Sequence, residues 1–171
     1  MSVDASRTAG GALRLRLEWI QGRALFVGGG PLDGALRAFA ARHPGRVHVQ
    51  TGVPHHDVPA WLNAMTLLCA PSQTTSTWRE QFGRVLIEAM ACGIPVVASD
   101  SGEMPFAVGD AGTIAGERDV AAWTAAIERL ATDSSTRRES SERGLARVRA
   151  RFAWPIVARQ HLDFFEAVTQ G

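Results

Sequence analysis

Short apolar runs alternate along this chain with longer stretches in which apolar residues return every three or four positions. Ala24-Leu25-Phe26-Val27 is an apolar run halted by Gly28-Gly29-Gly30-Pro31, the pattern of a buried strand entering a turn. Leu32, Leu36, Phe39 and Ala40 then recur at helical spacing up to Pro44-Gly45. Val47 and Val49 mark a second strand closed by Gly52, and Asp57 is placed to cap a helix carrying Val58, Trp61, Leu62 and Met65. Thr66 to Ala70 forms a third run, ended by Pro71. After a polar loop from Ser72 to Arg79, Gly83 precedes a helix bearing Val85, Leu86, Ala89 and Met90 and ending at Gly93. Ile94 to Ala98 reads as a fourth strand and Thr113-Ile114 as a short fifth. Further helices are expected from Val120 to Ala131, from about Ser135 to Phe152, and from Trp154 to Val168 with Pro155 in its first turn. Ahead of all this, Leu13, Leu15 and Leu17 alternate with Arg14 and Arg16 as in a strand. Leu13, Leu17 and Ile20 fit a helix face equally well, so periodicity leaves both open.

Strand-sized runs alternating with helices imply βαβ units, and hence an α/β fold with a doubly wound, Rossmann-like parallel sheet covered on both faces. Ligands of such sheets sit beyond the carboxyl ends of the strands. That directs attention to three loops, Gly28–Asp33, Ser72–Gly83 and Ser99–Met104. Trp61, Trp123, Phe164 and Phe165 read as core.

Composition narrows the classes. The chain has 171 residues, 46% of them hydrophobic, enough for one domain with a core that needs no metal or disulfide. A net charge of +1 removes any general electrostatic attraction to nucleic acid or an anionic membrane. All 18 basic side chains are arginine, so chemistry that requires a lysine, such as a Schiff base or a phosphate-binding P-loop, is excluded. The arginines from Arg137 to Arg151 are interleaved with Glu139 and Glu142, as on a solvated helix face. No apolar run approaches the length of a membrane span, and Met1 to Ser6 lacks a signal-peptide pattern, so a cytoplasmic location is expected. Cys69 and Cys92 read as buried free thiols.

Two constellations are candidates for chemistry. The Gly28–Gly34 loop fails as a dinucleotide fingerprint: Asp33 stands where the third glycine belongs, and no carboxylate follows at ribose distance. It reads first as a tight turn, and second as a place where a sugar or phosphate approaches the backbone. The segment from Glu80 to Glu88 is sharper, with two carboxylates eight positions apart. Glu80 falls in the loop and Glu88 inside the helix. Between them, Phe82-Gly83-Arg84 present backbone N–H groups at the positive helix end, where a diphosphate fits. Each carboxylate can accept a pair of hydroxyl hydrogen bonds from a vicinal diol, so one glutamate suits the ribose and the other the transferable sugar. The competing reading is an exposed Glu80 and a Glu88 paired with an arginine; the nearly continuous apolar stretch after Glu88 argues for a dedicated partner. His55-His56-Asp57 offers metal-ligating types, but adjacent donors seldom face one ion, and ordinary loop residues are the better reading.

The segment Trp78 to Ser99 resembles the E-x7-E signature of GT4-type, GT-B-fold retaining glycosyltransferases (glycosyl transferases group 1). Phe26 to Leu32 resembles that family's glycine turn, Val49 to His55 its next strand end, and Ala70-Pro71-Ser72 a further one. Ser99 to Pro105 resembles its "SdvGgiPE" loop, and Arg151-Phe152-Ala153-Trp154 its tail. The likeness implies a donor-binding C-terminal domain over residues 24–171, one half of a GT-B fold, after a poorly defined segment 1–23 that corresponds to a truncated first βα unit. It further implies that Glu88 binds ribose hydroxyls and Glu80, the catalytic candidate, binds the donor hexose. The backbone of Gln81, Phe82 and Gly83 would meet sugar and phosphate, Gly28, Gly29 and Gly30 would line the cleft, and Val53-Pro54 would lie near the base. The expected donor is a nucleotide-diphosphate sugar, with no cofactor and no catalytic metal.

Three departures stand out. The arginine and lysine that clamp the diphosphate in the family lie in a strand-loop unit for which residues 1–23 are too short, so Arg84 is the candidate stand-in, with surface pairing as its alternative. The N-terminal acceptor-binding half is not represented, which implies a fragment, a split subunit or a degenerate copy that depends on a partner half. Phe106 stands where the family has glutamate. A non-catalytic nucleotide-binding or interaction module, or another GT-B enzyme such as a sugar-nucleotide epimerase, are the alternatives.

Overall fold

The computed structural model describes residues 22–170 and, before them, the backbone of residues 6–7 and 13–14, which pair antiparallel as β1 (Ser6–Arg7) and β2 (Leu13–Arg14). Of the segment from Leu13 to Ile20, for which strand and helix are both open, Leu13–Arg14 forms β2 and the rest lies outside the described residues. From there the order is β3 (Ala24–Val27), α1 (Asp33–Arg42), β4 (Val47–Gln50), α2 (Val58–Asn63), β5 (Leu68–Ala70), α3 (Arg84–Ala91), β6 (Val96–Ser99), α4 (Met104–Val108), β7 (Thr113–Ala115), α5 (Val120–Thr132), α6 (Ser134–Arg151) and α7 (Trp154–Thr169). The fold is α/β with parallel strands, as the alternation of patterns implies.

The strands form two ladders. β3 pairs in parallel with β4, Ala24 opposite Val47 and Val27 opposite Gln50. β6 lies between β5 and β7, both parallel to it. Among the described residues the doubly wound sheet is thus divided, with no ladder joining β3–β4 to β5–β6–β7. The two differ in burial. β6 is buried at every position, whereas β3 is only half-buried and ends on an exposed Val27.

Two apolar clusters cover the β5–β6–β7 ladder. Val96 and Ala98 join Leu62, Leu86, Ala89, Met90, Met104 and Val108, which come from β6 and helices α2, α3 and α4. Val97 instead joins Ala115, Trp123, Ile127 and Leu130 of β7 and α5. Successive strand residues point to opposite faces, so this alternation is what burial on both sides requires. α6 packs on α3 and α5. Its Gly144 lies so close to Met90 that a Cβ there would stand 3.1 Å from Met90 Cγ.

Several expectations need correction. Trp123 is core and donates its ring N–H to Gly116 O at 3.0 Å, but Phe164 and Phe165 on α7 are 62% and 59% exposed. Their helical spacing is real; α7 follows α6 as the last element and offers that face no described neighbour sufficient to bury it. Arg147 does not belong to a solvated face. Its guanidinium donates to the carbonyls of Ala107, at 2.9 Å, and Phe106, and lies beside the Phe152 ring. Asp57 occupies the position before α2 without a capping bond, and its carboxylate instead lies 3.5 Å from His56. α4 is an addition to the expected elements: it begins at the end of the Ser99–Met104 loop, with Pro105 in its first turn, where proline is at home. Cys69 and Cys92 are free and half-buried.

Candidate functional site

All three loops singled out above leave the carboxyl ends of parallel strands. Gly28–Asp33 follows β3, Ser72–Gly83 follows β5 and Ser99–Met104 follows β6. At the β3–β4 ladder, the Gly28 N–H donates to Gln50 O at 2.9 Å and the Asp33 N–H to Gly30 O at 3.0 Å, closing the glycine turn. Gly28, Gly29, Gly30 and Pro54 are exposed there, and Val53 is half-buried. Arg37 of α1 donates to Thr51 Oγ1 at 3.1 Å and to Asp33 at 3.3 Å, tying the helix to both loops.

The other ladder carries the paired carboxylates. Glu80 is half-buried, and its Oε1 accepts the N–H groups of Gly83 at 3.0 Å and Phe82 at 3.4 Å. Two of the three N–H groups expected to stand free for a phosphate, those of Phe82 and Gly83, are therefore engaged by the protein's own anion. A carboxylate just ahead of a helix start competes for such donors whenever no external anion holds them. Ser72 Oγ lies within 3.5 Å of Glu80 Oε2 on the other side. Gln81 and Phe82 are exposed, and the Phe82 ring meets Phe152 edge-on at 5.9 Å between centroids.

Gly83 has a different explanation from the one its sequence context implies. It adopts φ 73°, the left-handed region, and is buried. A Cβ there would come within 2.9 Å of Leu86 Cδ1 and 3.4 Å of Met104 Cγ. Turn conformation and packing require glycine here, independently of any ligand's approach.

Glu88 lies in α3, one helical turn after Arg84, and Arg84 Nε is 3.2 Å from its Oε1. The dedicated partner that the apolar surroundings of Glu88 call for is thus Arg84. The pair is unequal: the Arg84 side chain is 76% exposed and that of Glu88 27%. So asymmetric a surface pair is weak, about 0.3–0.5 kcal/mol for such helical spacing, and an incoming anion can compete for the guanidinium. The Glu88 charge also acts on Cys92, whose thiol is pushed up by burial first and by that carboxylate second.

A third group of residues was not anticipated. Glu117, after β7, accepts the Thr74 N–H at 2.8 Å and the Thr74 hydroxyl. These bonds hold its carboxyl below the ordinary carboxylate range. Ser99 Oγ donates to Ser72 O at 2.6 Å, and the Glu103 N–H to Glu80 O at 3.3 Å. A charge six residues before Trp123, ahead of its helix, carries no spacing signal that could have marked Glu117. Among the described residues no cluster of His, Cys, Asp and Glu could hold a metal, so His55-His56-Asp57 gathers no further ligands. Nor is any described helix long and apolar enough to cross a membrane.

Comparison with known proteins accords with this geometry. A family model described as Glycosyl transferases group 1 matches residues 12–133. The chain is 36% identical over 114 residues to O-antigen chain mannosyltransferase B of Escherichia coli, covering 67% of this chain and 28% of that protein. Sucrose-phosphate synthase from Thermosynechococcus elongatus superposes with a TM-score of 0.71 at 28% identity, covering 87% of this chain and 39% of the other. HepE of Anabaena, solved in complex with UDP-glucose, superposes with a TM-score of 0.65 at 25% identity, covering 85% and 41%. The chain spans between 24% and 29% of the length of the curated relatives it matches. A family match over most of the chain, with parallel ladders and helices that superpose on these glycosyltransferase structures, makes this protein a member of the glycosyl transferases group 1 family and its fold a Rossmann-like half of a GT-B fold.

Proposed function

We propose that this chain is the donor-binding half of a retaining glycosyltransferase, one that moves a hexose from a nucleotide-diphosphate sugar to an acceptor held by a partner half. The observation that carries this reading is the seat of Glu80. Its carboxylate lies just ahead of the amino end of α3, where an anion is favoured, and accepts the Phe82 and Gly83 N–H groups. A donor diphosphate displaces that carboxylate, takes over the N–H groups and leaves Glu80 free to accept hydroxyls of the hexose. Arg84, at the first position of α3, exchanges Glu88 for the phosphate, and Glu88 turns to the ribose diol. Gly28, Gly29, Gly30, Val53 and Pro54 supply the opposite wall. HepE, a relative in fold, is described with UDP-glucose bound, which supports the donor class.

The chemistry asked of this half is electrostatic. Charge develops on the leaving diphosphate, and fixed N–H dipoles with one guanidinium stabilise it without reorganisation. Positioning the anomeric carbon against the acceptor is the other contribution, and it needs the partner half. The isolated chain therefore binds nucleotide weakly and transfers no sugar; a cytoplasmic location belongs to the same reading.

A second reading is favoured by one observation: both carboxylates already have partners within the fold. That state suits an interaction module that has kept the fold without the ligand. Calorimetric titration with UDP, GDP and ADP separates the two. The donor reading expects saturable binding of at least one nucleotide, weakened by Glu88→Ala. A folded chain that binds none of them is the module, and binding indifferent to Glu88→Ala removes the ribose role.

A further inference from the structure

Glu117 reaches across from the end of β7 and joins the loops that leave β5 and β6. It accepts the N–H and the hydroxyl of Thr74, while its own N–H donates to Asp100 Oδ1 at 2.9 Å. Ser101 is buried, and its hydroxyl lies 3.0 Å from Thr74 Oγ1. From Thr74 the chain runs straight into a tight turn. The Thr75 N–H donates to Trp78 O at 2.8 Å, and Thr75 Oγ1 accepts the Trp78 N–H at 3.0 Å. Only Arg79 then separates this turn from Glu80.

Glu80 itself is held from the same side. Its carbonyl accepts the Glu103 N–H, and it packs so tightly under Gly102 that a Cβ there would stand 1.7 Å from the oxygen. Ser101-Gly102-Glu103 thus grips both ends of the segment 74–80, and Glu117 fixes the Thr74 end. The turn between carries its own hydrogen bonds, so Thr74 and Glu80 are joined by a short, internally bonded segment.

We propose that Glu117 is a positioning residue for Glu80, acting through Thr74 to fix the carboxylate that meets the donor's sugar. The inference rests on the donor reading above. It assigns Glu117 no contact with the donor and no part in binding ribose, since Glu88 lies beyond this network in α3. Two carboxylates at the strand ends thereby divide the work: one touches the sugar, and the other keeps it in place.

The test uses the full chain as wild type, Glu117→Ala and Glu117→Gln. Affinities are measured for UDP and GDP, and for UDP-glucose and GDP-mannose. With Glu117→Ala, preference for the nucleotide sugar over its bare nucleotide falls about fivefold or more, the scale of one hydrogen bond, while bare-nucleotide affinity stays within about twofold. Glu117→Gln keeps an acceptor for the Thr74 N–H and recovers most of the preference. Without ligand, amide exchange of residues 80–83 quickens in Glu117→Ala while residues 88–91 are unchanged. An unchanged preference, an equal loss for sugar and bare nucleotide, or unaltered exchange at 80–83 overturns the inference. Failure of the wild type to bind any nucleotide instead overturns the donor reading, and the exchange measurement still decides whether Glu117 positions Glu80.

Discussion

Replacing Gly102 with alanine probes the contact on which the Glu80 geometry depends. The added Cβ would sit 1.7 Å from Glu80 O, 2.8 Å from Glu80 C and 3.3 Å from Arg79 Cγ. The first two are backbone atoms, so no rotamer relieves the clash, and the segment carrying Glu80 must move. Two costs add. Gly102 has φ 56°, where a side chain costs roughly 1–2 kcal/mol. Forcing an extra carbon into filled space costs roughly 1–3 kcal/mol more. The bond from the Glu103 N–H to Glu80 O, 3.3 Å long, is lost with the movement. The expected total is ~2–5 kcal/mol. Gly45→Ala is the control, because Gly45 has φ 73° with nothing near its missing Cβ and so carries the conformational cost alone. Urea denaturation of both variants measures the difference. With an m-value of about 2 kcal/mol/M, an excess of ~2 kcal/mol in Gly102→Ala lowers the midpoint by ~1 M relative to Gly45→Ala. The folded Gly102→Ala protein should also lose nucleotide-sugar affinity. Equal midpoints for the two variants, with affinity intact, would refute the claim that Gly102 sets the place of Glu80.

Other consequences are quicker to check. Ser99→Ala removes the donor to Ser72 O from a fully buried position and should cost about 1–2 kcal/mol in the same denaturation assay. Glu88→Ala should leave stability within about 0.5 kcal/mol, because the pair with Arg84 is largely solvated, yet weaken nucleotide binding about fivefold or more. Asp133 caps α6 by accepting from Ser135 and Thr136, which holds its folded pKa below the ordinary 3.8. A depressed folded value means that its contribution is complete above the unfolded pKa and is lost as pH falls below it. Acid denaturation followed by circular dichroism should therefore be shallower below about pH 4 in Asp133→Asn than in wild type. Burial pushes the Cys69 thiol up to about 12, so it should resist a thiol reagent at pH 8 until the protein unfolds.

The elements were legible because burial writes them directly into the chain. Val96 to Ala98 is apolar throughout because both faces are covered, and Trp123, Ile127 and Leu130 recur at helical spacing because one stripe of α5 is buried. The position of Glu80 near a helix start and of Glu88 within that helix was equally plain, since both follow from Gly83 and the apolar run after it. What the pattern did not carry was partnership. Nothing in the spacing tells a helix end that waits for a phosphate from one satisfied by its own Glu80, because both use the same residues. Pairing of Glu88 with an arginine and surface pairing of Arg84 were separate alternatives, and the structure meets both in one contact between residues a helical turn apart. Glu117 was invisible because its contacts with Thr74 join residues from different strand ends. Arg147 looked solvated for the same reason: the Phe106 and Ala107 carbonyls it meets belong to a distant turn.

The most direct test of the donor reading is a two-dimensional NMR titration of the full chain with UDP, GDP and ADP, following the backbone amides of Phe82, Gly83 and Arg84. The account predicts that one nucleotide shifts all three amides saturably, as its phosphates replace the Glu80 carboxylate, and that Glu88→Ala weakens the effect. Amides that stay unmoved by every nucleotide at millimolar concentration, in a chain whose spectrum is otherwise that of a folded protein, contradict it.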